Sequence, residues 1–111
     1  EDKKYEFAIK VFENASKQLE KSQDESTGLL GLRARTIVNS GITYLLKNDE
    51  EKGLSLLKQG LESHSASFGI DSPEHAEFLY QIGRSMVMRN LNKYAREFFI
   101  QSEKLFAQGL P

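Results

Sequence analysis

Leu79-Tyr80-Gln81-Ile82-Gly83-Arg84-Ser85-Met86, with Ala95 and Phe99 after it, repeats an earlier stretch, Ile37-Val38-Asn39-Ser40-Gly41-Ile42-Thr43-Tyr44, with Gly53 and Leu57 after it. The offset is 42 residues throughout, so Asn48 also falls on Asn90 and Gly60 on Ser102. An additional partial copy stands at the start. At an offset of 45, Tyr5, Ala8, Phe12 and Ala15 fall on Glu50, Gly53, Leu57 and Gly60. The chain therefore reads as a half repeat over 1–23, a full repeat over 29–68 and a second full repeat over 73–108. A period of this size marks stacked units, each too small to bury its apolar face alone. In such arrays small residues let two helices touch, and large ones fill the holes between successive pairs.

Working outward, the apolar spacing is helical everywhere. Tyr5, Ala8, Ile9, Phe12, Ala15 and Leu19 form a three-four stripe with Lys and Glu opposite. A polar loop over 22–28 follows. A second helix is predicted from about Leu30 to Lys47, apolar around most of its circumference and so contacted on several sides, with Asn48-Asp49 as punctuation. A third is predicted from about Glu50 to Ser67, with Leu54, Leu57, Leu61 and Phe68 as its stripe. Gly53 and Gly60 inside it each cost about 1 kcal/mol relative to Ala, which points to close packing against a neighbour. Phe68 to Pro73 is a turn in which Ser72 caps and Pro73 opens the fourth helix, where a missing N–H does no harm. That helix is expected to run to Arg89, and a fifth from about Asn92 to Ala107, stopped by Gly109 and Pro111. Alternating β-branched runs and Asn-Gly or Asp-Gly hairpins are absent.

Composition narrows the function classes. The 111 residues carry 15 Lys+Arg against 16 Asp+Glu, for a net charge of -1. Phosphate neutralisation needs a basic excess or stripe, so a nucleic-acid binder is disfavoured. No apolar run approaches the roughly 18 residues of a membrane span, and no signal-peptide apolar region is present. Cysteine is absent, which removes disulfides, zinc ribbons and thiol nucleophiles. These features predict a cytoplasmic protein without cofactors. The chain begins at Glu1 rather than Met, which predicts that something upstream was removed, and the first helix is expected to lack a partner.

The quoted residues resemble the tetratricopeptide repeat, whose pattern is W-x-x-L-G-x-x-Y and then A-x-x-x-F. Leu79-x-x-Ile82-Gly83-x-x-Met86 with Ala95-x-x-x-Phe99 follows it, and so does Ile37-x-x-Ser40-Gly41-x-x-Tyr44 with Gly53-x-x-x-Leu57. Trp and the closing Pro of the pattern are missing, and the period exceeds the usual 34. The stretch from Gly69 to Ala76 is similar to the G-x-x-H-P-x-x-A linker of the kinesin-light-chain type, with Ser72 where His is usual and His75 just inside the next helix. The resemblance implies an all-α fold, a right-handed solenoid of five antiparallel helices. It also implies a concave surface lined by the first helix of each pair. Carried over by position, the residues on it are Arg35, Val38, Asn39, Ile42 and Leu46, then Glu77, Tyr80, Gln81, Arg84 and Met88. Asn39 stands where family members use Asn to hold a peptide backbone, a task that suits an amide able to donate and accept. Arg35 and Arg84 suit acidic groups of a peptide.

Other chemistry is sparse. His64 and His75 flank a turn, and with Asp71 or Glu74 could frame a metal, but the spacing fits no zinc pattern and a solvated or capping role is expected. Gly28-Leu-Leu-Gly31 opens a helix without a preceding strand, so it is no phosphate cradle. Asn14-Ala15-Ser16 is a glycosylation sequon by chance inside a helix. Tyr94, Phe98, Phe99 and Phe106 read as packing. Phe98, Phe99 and Ile100 are consecutive, though, so one apolar flank of the last helix is expected to lack a partner within the chain. The leading expectation is a non-catalytic module that binds a protein or peptide partner. The alternatives are a structural module that self-associates, as a homodimer or part of a longer solenoid, and a helical accessory domain of a larger enzyme.

Overall fold

The computed structural model describes residues 2–22 and 26–109. They form five helices: α1 (Asp2–Lys21), α2 (Thr27–Leu46), α3 (Glu50–Phe68), α4 (Pro73–Met88) and α5 (Asn92–Gln108). The described residues contain no strand. The protein is all-α, and among the described residues no helix is long and apolar enough to cross a membrane. The chain divides into two compact units at Ser67 and Phe68, with α1 to α3 in one and α4 and α5 in the other.

Within the first unit α2 is the core element. Ala34, Val38, Ile42 and Leu45 are buried, and so are Thr36, Ser40 and Thr43 between them. Thr36 and Thr43 donate their hydroxyls to the carbonyls of Leu32 and Asn39 at 2.7 and 2.8 Å, which removes the cost of burying them. α2 starts at Thr27, earlier than the spacing of its apolar residues suggests. The Ser26 side chain accepts from the Leu29 N–H and caps the helix there, so Gly28 lies in the first turn and not in a loop. The rest of the expected loop, 23–25, lies outside the described residues.

α1 does have a partner, contrary to the sequence expectation: it packs on α2. Ile9 is buried, and polar pins flank it. Arg33 donates to the carbonyls of Leu19 and Ser22 at 3.0 and 2.9 Å. Toward the other end the Tyr44 hydroxyl donates to the Glu13 carboxylate, and Lys47 lies 3.7 Å from Glu6. Burial, reinforced by Glu13 and Asp49, pushes the Tyr44 hydroxyl above its ordinary pKa. The first turn of periodicity in α1 is only partly covered, and Phe7 and Val11 remain exposed.

α3 meets α2 through glycines. A Cβ on Gly41 would stand 2.9 Å from the Gly53 carbonyl oxygen and 3.1 Å from the Leu57 nitrogen. A Cβ on Gly60 would collide with the Val38 side chain. The buried stripe of α3 is therefore Gly53, Leu57, Gly60 and His64. The leucine stripe predicted from the sequence is rotated: Leu57 is buried, but Leu54 is exposed. Two backbones that touch require small residues on the contact line, which turns the larger leucines outward.

The second unit is built in the same way. A Cβ on Gly83 would meet the Phe99 ring at 2.9 Å, and the buried Ser102 hydroxyl donates to the Ala76 carbonyl at 2.8 Å. Ala76 stands 42 residues after Ala34, whose carbonyl is the one nearest to Gly60, the counterpart of Ser102. The turns match as well. Asp49 N–H donates to Tyr44 and Leu91 N–H to Met86, at 2.9 and 2.8 Å. Asn48 and Asn90 both adopt left-handed backbone, φ 71° and 61°. Asn tolerates that region better than most residues, which explains why it closes both α2 and α4. Gly109 plays no such part: its φ is -82°, and it ends α5 by donating to Leu105 and Phe106. Pro111, the other expected stop, lies outside the described residues.

Candidate interaction surface

α4 supplies the clearest candidate face. Its start is fixed by Ser72, whose hydroxyl accepts from the His75 N–H at 3.0 Å and donates to the Gly69 carbonyl at 2.9 Å. Gly69 has φ 96°, a backbone that other residues adopt only under strain, so the turn depends on glycine. Pro73 then occupies the first helical position as expected. Buried residues run from His75 through Ala76, Phe78, Leu79, Ile82 and Gly83 to Met86. Glu77, Tyr80, Gln81, Arg84 and Met88 are among its exposed residues.

That face combines polar and apolar chemistry. Gln81 donates to the Glu77 carboxylate at 3.2 Å. The Tyr80 ring lies 5.6 Å from the Phe99 ring at 56°, held by α5 but 43% exposed. Met88 is 75% exposed. Among the described residues Arg84 makes no hydrogen bond or ion pair.

On α2 the structure separates the candidates. Arg35 is exposed, and Asn39 and Leu46 are half-buried. Val38 and Ile42 are corrected: both are only 2% exposed and so offer no surface to a ligand. Val38 fills the space over Gly60. Position in a repeat pattern names the face, but the glycines of α3 draw α3 close enough to cover Val38. The Asn39 side-chain amide has no bonding partner among the described residues, and its backbone carbonyl is taken by Thr43.

The histidines are corrected too. His64 and His75 are each 5% exposed, not solvated. His75 takes the Ser72 cap with its backbone, and its ring stands 6.4 Å from that of Phe78. Burial lowers its pKa below 6.5 and favours the neutral ring. No three His, Asp or Glu side chains among the described residues are grouped as metal ligands, and Asp71 and Glu74 are exposed.

A shallow concavity of about 310 Å³ lies on the second unit. It is lined by Val87 and by one stripe of α5: Asn92, Ala95, Arg96, Phe99, Ile100 and Glu103. The consecutive Phe98, Phe99 and Ile100 pointed to an open flank in this place. The charged ends of the stripe did not emerge from the aromatic pattern. The spacing 92, 95, 96, 99, 100, 103 carries them. No protein-family model, curated protein or solved structure matches the chain.

Proposed function

We propose that the protein is a non-catalytic interaction module of tetratricopeptide-like helix pairs, which holds a partner peptide against the exposed face of α4. The observation that carries this reading is the α4 face. A helix face that meets only water has no need of Tyr80 and Met88, yet both stand exposed beside Arg84, which has no bonding partner among the described residues. Large apolar groups beside unsatisfied polar ones are the composition of a binding patch. The pairing of helices supports the repeat reading. Ala76 meets Ser102 and Gly83 meets Phe99, so contacts climb α4 as they descend α5, the order of antiparallel helices. The matched turns at Asn48 and Asn90 support it further. On α2, Arg35 and the Asn39 amide suit an extended peptide with acidic groups.

The test is selection of binders from a displayed peptide library, followed by affinity measurements on Arg84→Ala, Met88→Ala and Asn39→Ala. Truncating Asn39 leaves a peptide group unpaired and costs roughly 1–3 kcal/mol, about 5- to 150-fold in affinity. Folding should hold, because the Asn39 side-chain amide has no bonding partner among the described residues. Selected peptides that bind all three variants as tightly as the parent would place the site elsewhere.

A further inference from the structure

We propose that the α5 stripe is a self-association surface whose occupant is a second copy of the same chain, laid antiparallel across it about a two-fold axis between Phe99 and Ile100. The stripe has an apolar centre and opposite charges at its ends, Arg96 and Glu103. Turning the helix end for end about the midpoint of 99 and 100 exchanges positions 96 and 103. Arg96 of each copy then faces Glu103 of the other, and the apolar centres meet. A two-fold interface uses one patch twice, so only a patch that is its own complement can form it. Within one chain these charges cannot satisfy each other, since seven residues of helix separate them by about 10.5 Å. Among the described residues neither side chain takes part in a hydrogen bond or ion pair.

The repeat itself shows that these charges are not needed for the fold. At the offset of 42, the counterparts of Arg96 and Glu103 are Leu54 and Leu61. Burial differs in the same sense: Leu45 is 6% exposed, whereas its counterpart Val87 is 46% exposed. Ile100 is also exposed, at 38%. The patch is small, so association falls in the range of the weaker protein interfaces.

Sedimentation velocity of the protein from about 10 to 500 μM at low salt tests this, with a Kd of roughly tens of micromolar expected. Arg96→Glu and Glu103→Arg each replace two attractions by two repulsions, and each alone weakens self-association about tenfold or more. An equimolar mixture of the two variants restores association. One variant then carries carboxylates at both ends of the stripe and the other carries guanidinium groups at both, so each end of the mixed dimer pairs opposite charges. The double variant in one chain restores it as well. Arg96→Gln and Glu103→Gln, which add no repulsion, lose severalfold and show that the result does not depend on a misfolded variant. Circular dichroism on each variant confirms the helical fold. A parent that stays monomeric throughout overturns the proposal. So does a mixture that associates no better than its components, which would leave the stripe to a different partner.

Discussion

Gly41→Ala should destabilise the protein, although alanine is the better helix former. In an open helix interior the exchange contributes about 1 kcal/mol in favour of Ala. At Gly41 the new Cβ would lie 2.9 Å from the Gly53 carbonyl oxygen, 3.1 Å from the Leu57 nitrogen and 3.1 Å from the Leu56 Cβ. Ordinary contact begins near 3.4 Å, so α2 and α3 must separate by about half an ångström. Two of the three obstacles are backbone atoms, so no rotamer change relieves them. A separation of that size forfeits a quarter or more of the dispersion along the seam. Overpacking of this kind costs about 1–3 kcal/mol. Set against the helix gain, a net loss of up to about 2 kcal/mol remains, or up to roughly 15 °C in melting temperature for a domain of this size. Gly28→Ala is the control, since nothing lies within 4 Å of its added Cβ. It should raise the midpoint slightly. Thermal melts by circular dichroism, with urea titrations, read both. If Gly41→Ala melts at or above the parent, the glycine seam is not close-packed and the account of α2 and α3 is wrong.

Further substitutions test other contacts. Ser102→Ala removes the 2.8 Å bond to the Ala76 carbonyl and should cost about 1 kcal/mol in urea denaturation. Asn90→Ala keeps a Cβ in left-handed backbone, φ 61°, but loses the short polar side chain that eases that conformation, and should cost about 1 kcal/mol, while Asn90→Gly is close to neutral. Tyr44→Phe loses the hydroxyl that reaches Glu13 and should cost up to about 1 kcal/mol, an effect that shrinks in a Glu13→Ala background, where the acceptor is gone. The lowered pKa of His75 means that the unfolded chain takes up a proton the folded chain resists. Its contribution is therefore complete above the unfolded value of 6.5 and is lost as pH falls below it. Urea midpoints from pH 7.5 to 5 should decline less steeply in His75→Leu than in the parent, and equal slopes would dismiss the effect.

The helices were legible because their punctuation is local. Ser72-Pro73 fixes a start by the chemistry of two residues, and an apolar period of 3.6 needs no knowledge of what it faces. The repeat was legible for a related reason. Gly41 and Gly83, or Gly60 and Ser102, stand 42 residues apart in the sequence, so comparing one half with the other picks them out. Burial at particular positions was not legible. Val38 and Leu54 are both apolar and both periodic, yet one is buried and the other is exposed. The difference depends on how closely α3 approaches α2, a distance that Gly41, Gly53 and Gly60 determine jointly. The same limit explains the histidines. His64 is buried because it continues the line Gly53, Leu57, Gly60, which no charge or spacing rule for metal ligands detects. A face becomes visible in sequence when its pattern repeats. The departures from the repeat, Arg96 and Glu103 in place of Leu54 and Leu61, are what set α5 apart from its counterpart.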